Sequence, residues 1–98
     1  VMSIKDGKYV NIDYIIYTQI IDQKLFKKKD NIKELMRSES LHIFEDIIRN
    51  MTYEMILNRR ESIEDNLRVQ LDGYIRKYGI GVKRVALRNV LEEDEVLD

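Results

Sequence analysis

An Asp-Gly pair ahead of a long alternating segment constrains the fold of this chain most strongly. Asp6-Gly7 separates the mainly apolar run 1–4 from residues 9–21, where apolar side chains recur at every second position until Thr18. Asp-Gly between two such runs favours a hairpin, because its tight turn needs positive φ at both central residues. The period of two predicts a strand with one well-buried face. The residues on that face are Val10, Ile12, Tyr14, Ile16 and Ile20.

A first amphipathic helix is predicted after the polar connection 22–29. Asp30 or Asn31 is placed to cap it, and Asn31 with Glu34 has the spacing of a capping box. Apolar residues then recur at intervals of three and four, with one gap of seven across Ser40, as one helix face requires. The predicted stripe is Ile32, Leu35, Met36, Ile43, Phe44, Ile47, Ile48 and Met51.

A second amphipathic helix follows a short turn that Thr52 caps. Asn58 with Glu61 offers a second capping pair, and the helix is predicted to reach about Tyr78. Gly79 is placed to end it in a left-handed conformation. The predicted core stripe is Ile63, Leu67, Leu71, Tyr74, Ile75 and Tyr78. Glu64–Arg68 and Asp72–Arg76 are predicted ion pairs one turn apart on its exposed side.

The segment 80–90 returns to strand composition without a clean period of two. A β-bulge near Lys83-Arg84 would restore the alternation of its apolar residues. The expected fold class is therefore α+β, a small antiparallel sheet of an N-terminal hairpin and a C-terminal strand, packed by two main helices. We expect one domain over residues 1–91 and an acidic linker over residues 92–98.

Composition disfavours several functional classes. Seventeen basic and 18 acidic residues give a formal net charge of -1, so no large positive field is available to attract nucleic acid. The chain has no cysteine, which removes disulfides and thiolate metal sites. It also lacks the run of about 18 apolar residues that a membrane-spanning helix needs. The chain begins at Val1, and we expect it to be a piece of a longer protein whose anchor lies elsewhere.

No pattern in the sequence predicts catalysis, and we expect no enzyme here. His42 is the only histidine and is expected to face solvent, although Glu39 lies three residues before it as in some di-iron motifs. Gly79-Ile80-Gly81 is too short for a phosphate-binding loop and follows a helix rather than preceding one. We therefore predict no catalytic, cofactor-binding or metal-ligating residues, and no cofactor.

One basic cluster leaves two interpretations. Lys27-Lys28-Lys29 fits a solvated charged loop, and it also fits an electrostatic contact with anionic lipid headgroups. The six tyrosines scatter over strand and helices without a basic groove, which favours packing over base stacking.

The order of motifs resembles the band-7 or SPFH domain of stomatins, prohibitins, flotillins and the bacterial HflK and HflC proteins. The matching residues are Asp6-Gly7-x-x-Val10-x-Ile12, Thr52-x-x-x-Ile56-Leu57-x-x-Arg60-x-x-Ile63 and Tyr78-Gly79-Ile80-x-Val82-x-x-Val85-x-Leu87-x-Asn89-Val90. The resemblance covers nearly the whole chain. Asp22-Gln23 departs from the Asp-Pro that many members carry at that place. The end of the second helix looks HflK-like, whereas the spacing from Thr52 to Arg60 is closer to stomatins.

The resemblance implies a non-catalytic scaffold domain of a membrane-anchored protein. Such proteins self-associate into large oligomers, and the anchor would lie outside this chain on an unspecified side of the membrane. An HflK-like member would modulate a membrane protease of the FtsH type. A stomatin- or prohibitin-like membrane organiser and a soluble protein-interaction module are the alternatives. By the same resemblance, Arg60 would bond helix-end or sheet carbonyls, and the Gly79-Ile80 junction would be structural.

Overall fold

The computed structural model describes residues 1–93 and contains a three-stranded antiparallel sheet with four helices. The sheet order is β1-β2-β3, which makes the long β2 the central strand. In chain order the elements are β1 (Met2–Ser3), β2 (Tyr9–Ile20), α1 (Gln23–Lys28), α2 (Ile32–Ile48), α3 (Tyr53–Asn58), α4 (Arg60–Ile75) and β3 (Ile80–Glu93). Short 3₁₀ turns at Lys5–Gly7 and Arg76–Tyr78 precede β2 and β3. The predicted α+β class is confirmed.

The predicted hairpin forms around Asp6-Gly7. Asp6 and Gly7 have φ of 65° and 70°, the positive values that a tight hairpin turn needs at its centre. The Ile4 amide donates to the Lys8 carbonyl at 2.9 Å and closes the loop. β1 then pairs with β2 through only two positions, Met2 with Val10 and Ser3 with Tyr9.

Every residue of β2 pairs with a residue of β3, and the predicted bulge is confirmed. The register shifts once where Tyr17 pairs with Arg84 and Thr18 with Val82, which leaves Lys83 as the extra residue. A second shift between Asp13 and Tyr14 leaves Arg88 extra. The two insertions return the apolar residues of β3 to the core face, because each one reverses the alternation of side chains.

One face of the sheet carries α2 and α4, and the core lies between these layers. The stripe of α4 is buried as predicted at Ile63, Leu67, Leu71 and Ile75. The stripe of α2 is buried at Ile32, Ile43, Phe44 and Ile48. The gap in that stripe is also buried, because Ser40 is fully enclosed.

Four local predictions were wrong. Ile20, expected on the well-buried face of β2, is 48% exposed at the end of the strand. Asn31 adopts a left-handed conformation (φ 59°) and makes no side-chain capping bond, because a capping residue normally needs an extended backbone. Asn58 is the last residue of α3 rather than a cap, and α4 begins at Arg60 without a side-chain cap. The expected connection 22–29 contains α1, which Asp22 caps by accepting from the Lys24 and Leu25 amides. Thr52 does cap α3, through the Met55 amide.

The division between a domain of residues 1–91 and a linker of residues 92–98 stays a prediction. β3 continues through Glu93, so Glu92 and Glu93 pair with Val10 and Tyr9 in the sheet. The remainder of the predicted linker, residues 94–98, lies outside the described residues.

Gly79 ends the second helical segment in a left-handed conformation, as predicted, with φ of 81°. Its carbonyl accepts from the Ile21 amide at 2.8 Å and from the Asp22 amide at 3.2 Å. A side chain at this position would run into the Asp22 carbonyl oxygen and the Phe26 amide nitrogen, which are backbone atoms that cannot rotate away. Gly79 therefore holds the start of α1 against the start of β3.

We predict that Gly79→Ala lowers the free energy of unfolding by at least about 2 kcal/mol, because it adds left-handed strain to a backbone collision. Gly73→Ala is the matched control, since Gly73 lies inside α4 with open space around it. That change should raise the free energy of unfolding by up to about 1 kcal/mol through helix propensity. Urea unfolding measures both, and equal effects would contradict the role given to Gly79.

Candidate functional site

The residues weighed for chemistry in the sequence do not come together. His42 faces solvent as predicted, with 69% of its side chain exposed, and its Nε2 lies 3.8 Å from Asp46 Oδ2 one turn later. Gly79 and Gly81 belong to a helix stop and a strand start. Within residues 1–93, no three His, Cys, Asp or Glu side chains are grouped closely enough to hold a metal ion. The arrangement that stands out is a contrast between the two long edges of the sheet.

The outer edge of β3 is bound by side chains of α4. Arg60 Nη2 donates to the carbonyl oxygens of Leu87 at 2.9 Å and Arg88 at 3.1 Å. This geometry confirms the role expected for Arg60, a donor to sheet carbonyls. Glu64 Oε2 accepts from the Leu87 amide at 2.7 Å, so one residue of β3 is held on both its backbone groups.

Two further side chains extend this coverage along β3. Asp72 Oδ1 accepts from the Val82 amide at 2.8 Å. Near the other end of the strand, the Tyr53 hydroxyl on α3 donates to the Val90 carbonyl at 3.1 Å. β3 is an edge strand, so these bonds occupy backbone groups that another strand could otherwise pair with. We call this the covered edge.

The contacts on the covered edge concentrate where the bulges lie. Arg60 and Glu64 bind next to the extra residue Arg88, and Asp72 binds next to the extra residue Lys83. A bulge disrupts the ladder and leaves backbone groups without strand partners. Buried backbone groups must find partners elsewhere, and the charged side chains of α4 supply them.

Asp72 is the best-anchored carboxylate of the covered edge. Its Oδ2 accepts from Arg76 Nε at 2.7 Å, which confirms the predicted pair one turn apart. The hydrogen bond from Arg76 is the largest cause that lowers the pKa of the Asp72 carboxyl, and the bond from the Val82 amide lowers it further. Partial burial opposes both but does not cancel them. Asp72 is therefore held as a carboxylate.

The predicted pair Glu64–Arg68 was wrong. Glu64 turns to the Leu87 amide, and Arg68 bonds instead to Asp65 Oδ1 at 3.0 Å. Helical spacing cannot distinguish the two outcomes, because it does not say which carboxylate has a buried amide to bind. The bulge predicted at Lys83-Arg84 gave no signal for this choice, because Glu64 binds beside the second bulge at Arg88.

The opposite edge of the sheet is open. β1 covers only Tyr9 and Val10 of β2, so residues 11–20 have no strand beside them on that side in the part of the chain that the structure describes. A groove of about 740 Å³ separates this edge from α2. Ile12, Ile16 and Met36 give the groove its apolar lining. We call it the β2 groove.

The rim and the base of the β2 groove differ in character. Lys33 and Arg37 lie at its α2 side, and neither forms an ion pair within residues 1–93. At the base, Ser40 Oγ donates to the Arg37 carbonyl at 3.0 Å. Its single proton is thereby used, so the Tyr14 hydroxyl donates to Ser40 Oγ at 2.9 Å. The Tyr14 ring also packs against Phe44, with centroids 5.1 Å apart. Hydrogen bonds and ring packing therefore hold the side chains at the base, whereas Lys33 and Arg37 at the rim have no ion-pair partner within residues 1–93.

Comparison with known proteins identifies the fold. The sequence profile of the SPFH domain / Band 7 family matches residues 2–98. The chain belongs to this family. No curated protein matches the chain significantly.

Membership places the chain among scaffold proteins that associate with membranes, generally self-associate and are generally non-catalytic. None of the helices within residues 1–93 is long and apolar enough to cross a bilayer. In this SPFH domain, the domain's own side chains bind the covered edge, whereas the edge beside the β2 groove has backbone groups available to another strand.

We predict that Arg60→Ala lowers the free energy of unfolding by about 1–2 kcal/mol, because two carbonyls of β3 lose a charged donor. Arg68→Ala is the control, since the Arg68–Asp65 pair lies at the surface and should contribute less than about 0.5 kcal/mol. Urea unfolding compares the two variants. A loss for Arg60→Ala no larger than that for Arg68→Ala would contradict the bonds assigned to Arg60.

The pH dependence of stability tests the anchoring of Asp72. A folded-state pKa below the unfolded value means that the unfolded chain binds more protons, so this contribution is complete above about pH 4 and is lost as pH falls through the folded pKa. We expect Asp72→Asn to reduce the slope of unfolding free energy against pH below about pH 4. Thermal unfolding over that range measures the slope, and an unchanged slope would reject the assignment.

Proposed function

We propose that this chain is a non-catalytic scaffold domain in a membrane-anchored oligomer that modulates a membrane protease of the FtsH type. The observation that carries the proposal is the β2 groove beside the open edge of β2. The family supplies membrane association and self-association in general. The edge supplies a surface through which this particular chain could join a larger sheet.

Strand addition suits the open edge physically. An extended segment placed along β2 would pair its backbone with the free groups of residues 11–20 and would set alternate side chains into the groove. Main-chain hydrogen bonds would provide affinity, and the apolar lining would provide the register. Each such contact can be weak, because tethering at a membrane raises the effective concentration of neighbouring copies.

The preference for an HflK-like role rests on the sequence around the second helical segment. The long second helix and Gly79-Ile80 look HflK-like, and the close approach of the Asp22 and Phe26 backbone explains why no side chain fits at Gly79. The spacing from Thr52 to Arg60 favours the stomatin or prohibitin alternative, in which the oligomer organises membrane proteins or lipids without a protease. A soluble protein-interaction module is the remaining alternative.

We predict that Thr18→Lys disrupts assembly while preserving the fold. Thr18 is exposed and lines the β2 groove, as Lys33 does, so a lysine there would place a charge on the open edge and add to the positive charge of the groove. Val69→Lys is the control, because Val69 is 53% exposed on α4 and belongs to neither edge contact. Light scattering of the native protein extracted in mild detergent should give large particles for wild type and the control, and smaller ones for Thr18→Lys.

The same variants separate the proposed partners. If the assembly modulates an FtsH-type protease, turnover of a membrane-protein substrate in cells should change about equally on deletion of the protein and with Thr18→Lys, and should stay at the wild-type rate with Val69→Lys. Loss of assembly without any change in turnover would favour the stomatin- or prohibitin-like alternative. A wild-type protein that remains monomeric in detergent would reject the scaffold function.

A further inference from the structure

The end of the sheet farthest from the hairpin turn exposes three large apolar side chains. Ile20 closes β2, Ile21 follows it, and Leu25 lies on α1, with exposed fractions of 48%, 43% and 38%. All three fall within six residues of sequence. Nothing in the fold of residues 1–93 encloses these three side chains.

Hydrogen bonds to backbone amides hold the segment that carries this apolar cluster. Asp22 Oδ1 accepts from the Lys24 and Leu25 amides, at 3.0 and 3.2 Å. The Gly79 carbonyl binds the Ile21 and Asp22 amides, as described above. α1 has no fully buried residue, and Phe26 is its one contact with the core, so these hydrogen bonds and the Phe26 contact orient it together. The exposed side chains therefore lie on a segment whose backbone is held by hydrogen bonds.

Five lysines lie on α1, directly after it, and in the 3₁₀ turn that contacts it. Four of them occupy α1 and the residue that ends it, and Lys77 joins them from the turn before β3. Lys77 Nζ lies 4.5 Å from the centre of the Tyr74 ring, and Lys29 Nζ lies 5.6 Å from that of Tyr78. None of the five lysines forms an ion pair in the described chain. The lysine-rich end comprises Ile20, Ile21, Leu25, Lys24, Lys27, Lys28, Lys29 and Lys77.

Charge is distributed unevenly between this end and the rest of the molecule. Residues 20–30 contain four lysines and two aspartates, a net charge of +2, whereas the whole chain carries -1. Outside residues 20–30, the rest of residues 1–93 holds 13 basic and 13 acidic residues and is therefore neutral, so the excess of positive charge is confined to this segment. An anionic surface would attract this segment more strongly than the rest of residues 1–93, which favours one orientation of the domain.

We propose that the lysine-rich end is a contact surface for an anionic lipid bilayer. The ammonium groups would meet lipid phosphates, and Ile20, Ile21 and Leu25 would enter the boundary between headgroups and acyl chains. The solvated loop considered for Lys27-Lys28-Lys29 does not account for three exposed apolar neighbours. Nucleic acid would need accessible stacking faces in a basic groove, and here lysines lie over the tyrosine rings.

The inference rests on the proposed function only in placing the domain beside a membrane. The β2 groove and the lysine-rich end use different residues, so they can fail separately. For the 98-residue chain at a concentration too low for assembly, Thr18→Lys should leave vesicle binding within about twofold of wild type. Loss of vesicle binding with assembly intact would reject the lipid contact alone, and loss of assembly with vesicle binding intact would reject the scaffold function alone.

The first test measures co-sedimentation of the 98-residue chain with vesicles of phosphatidylcholine and phosphatidylserine in a 7:3 ratio, and with pure phosphatidylcholine, at low salt. Binding should require phosphatidylserine, and the double variant Lys27→Glu/Lys28→Glu should weaken it by about 25-fold or more. The control Lys5→Glu/Lys8→Glu makes the same charge change at exposed positions by the hairpin turn and should stay within about threefold. Equal losses for the two double variants would overturn the proposal, because attraction would then depend on net charge alone.

A second test reports insertion directly. The chain has no tryptophan, so Leu25→Trp provides a single fluorescent reporter at the centre of the proposed contact. Its emission should shift to shorter wavelength on adding the phosphatidylserine vesicles, whereas Val69→Trp on α4 should not shift. An unshifted Leu25→Trp would overturn the proposal. Tighter binding to a single-stranded oligonucleotide than to vesicles, abolished by Lys27→Glu/Lys28→Glu, would overturn it too and assign the surface to nucleic acid.

Discussion

The hydrogen bonds from α4 to the bulged backbone of β3 hold the two layers of this domain in one arrangement. The face of α4 that buries Leu67 and Leu71 in the core begins with Arg60 and Glu64, so one helix face both packs and binds. Apolar packing alone tolerates small slides of a helix along a sheet. Charged bonds to the two backbone groups of Leu87 do not, because a shift of one residue would leave a charge without its partner.

The two edges of the sheet therefore differ, and a partner strand would add to β2 rather than to β3. Side chains of the domain bind five backbone groups along the covered edge, so a partner strand would have to displace them to pair along β3. β2 has little of the usual protection of an exposed edge, since Asp13 is its only charged residue and it contains no lysine, proline or bulge insertion. An edge without such features is suited to being covered by another segment.

The sequence was sufficient for the elements whose signal is local. The hairpin followed from Asp6-Gly7, the helix stripes from their spacing and the Lys83-Arg84 bulge from a broken alternation. The second bulge, at Arg88, was not predicted, because one insertion already explained the spacing of the apolar residues in β3. Partner choices such as that of Glu64 escaped for a different reason. They depend on which backbone groups the fold leaves unpaired, and α1 and the β2 groove depend on elements far apart in sequence.

The β2 groove ends where the lysine-rich end begins, because Thr18 belongs to the first and Ile20 to the second. Copies joined along β2 would therefore carry their lysine-rich ends at fixed spacing. A single end offers five lysines and three partly exposed apolar side chains, which is a weak and salt-sensitive contact for one domain. An array binds a surface far more tightly, since each bound copy raises the effective concentration of the next. Assembly and membrane contact would then strengthen one another, and a single domain would both assemble and bind the membrane only weakly.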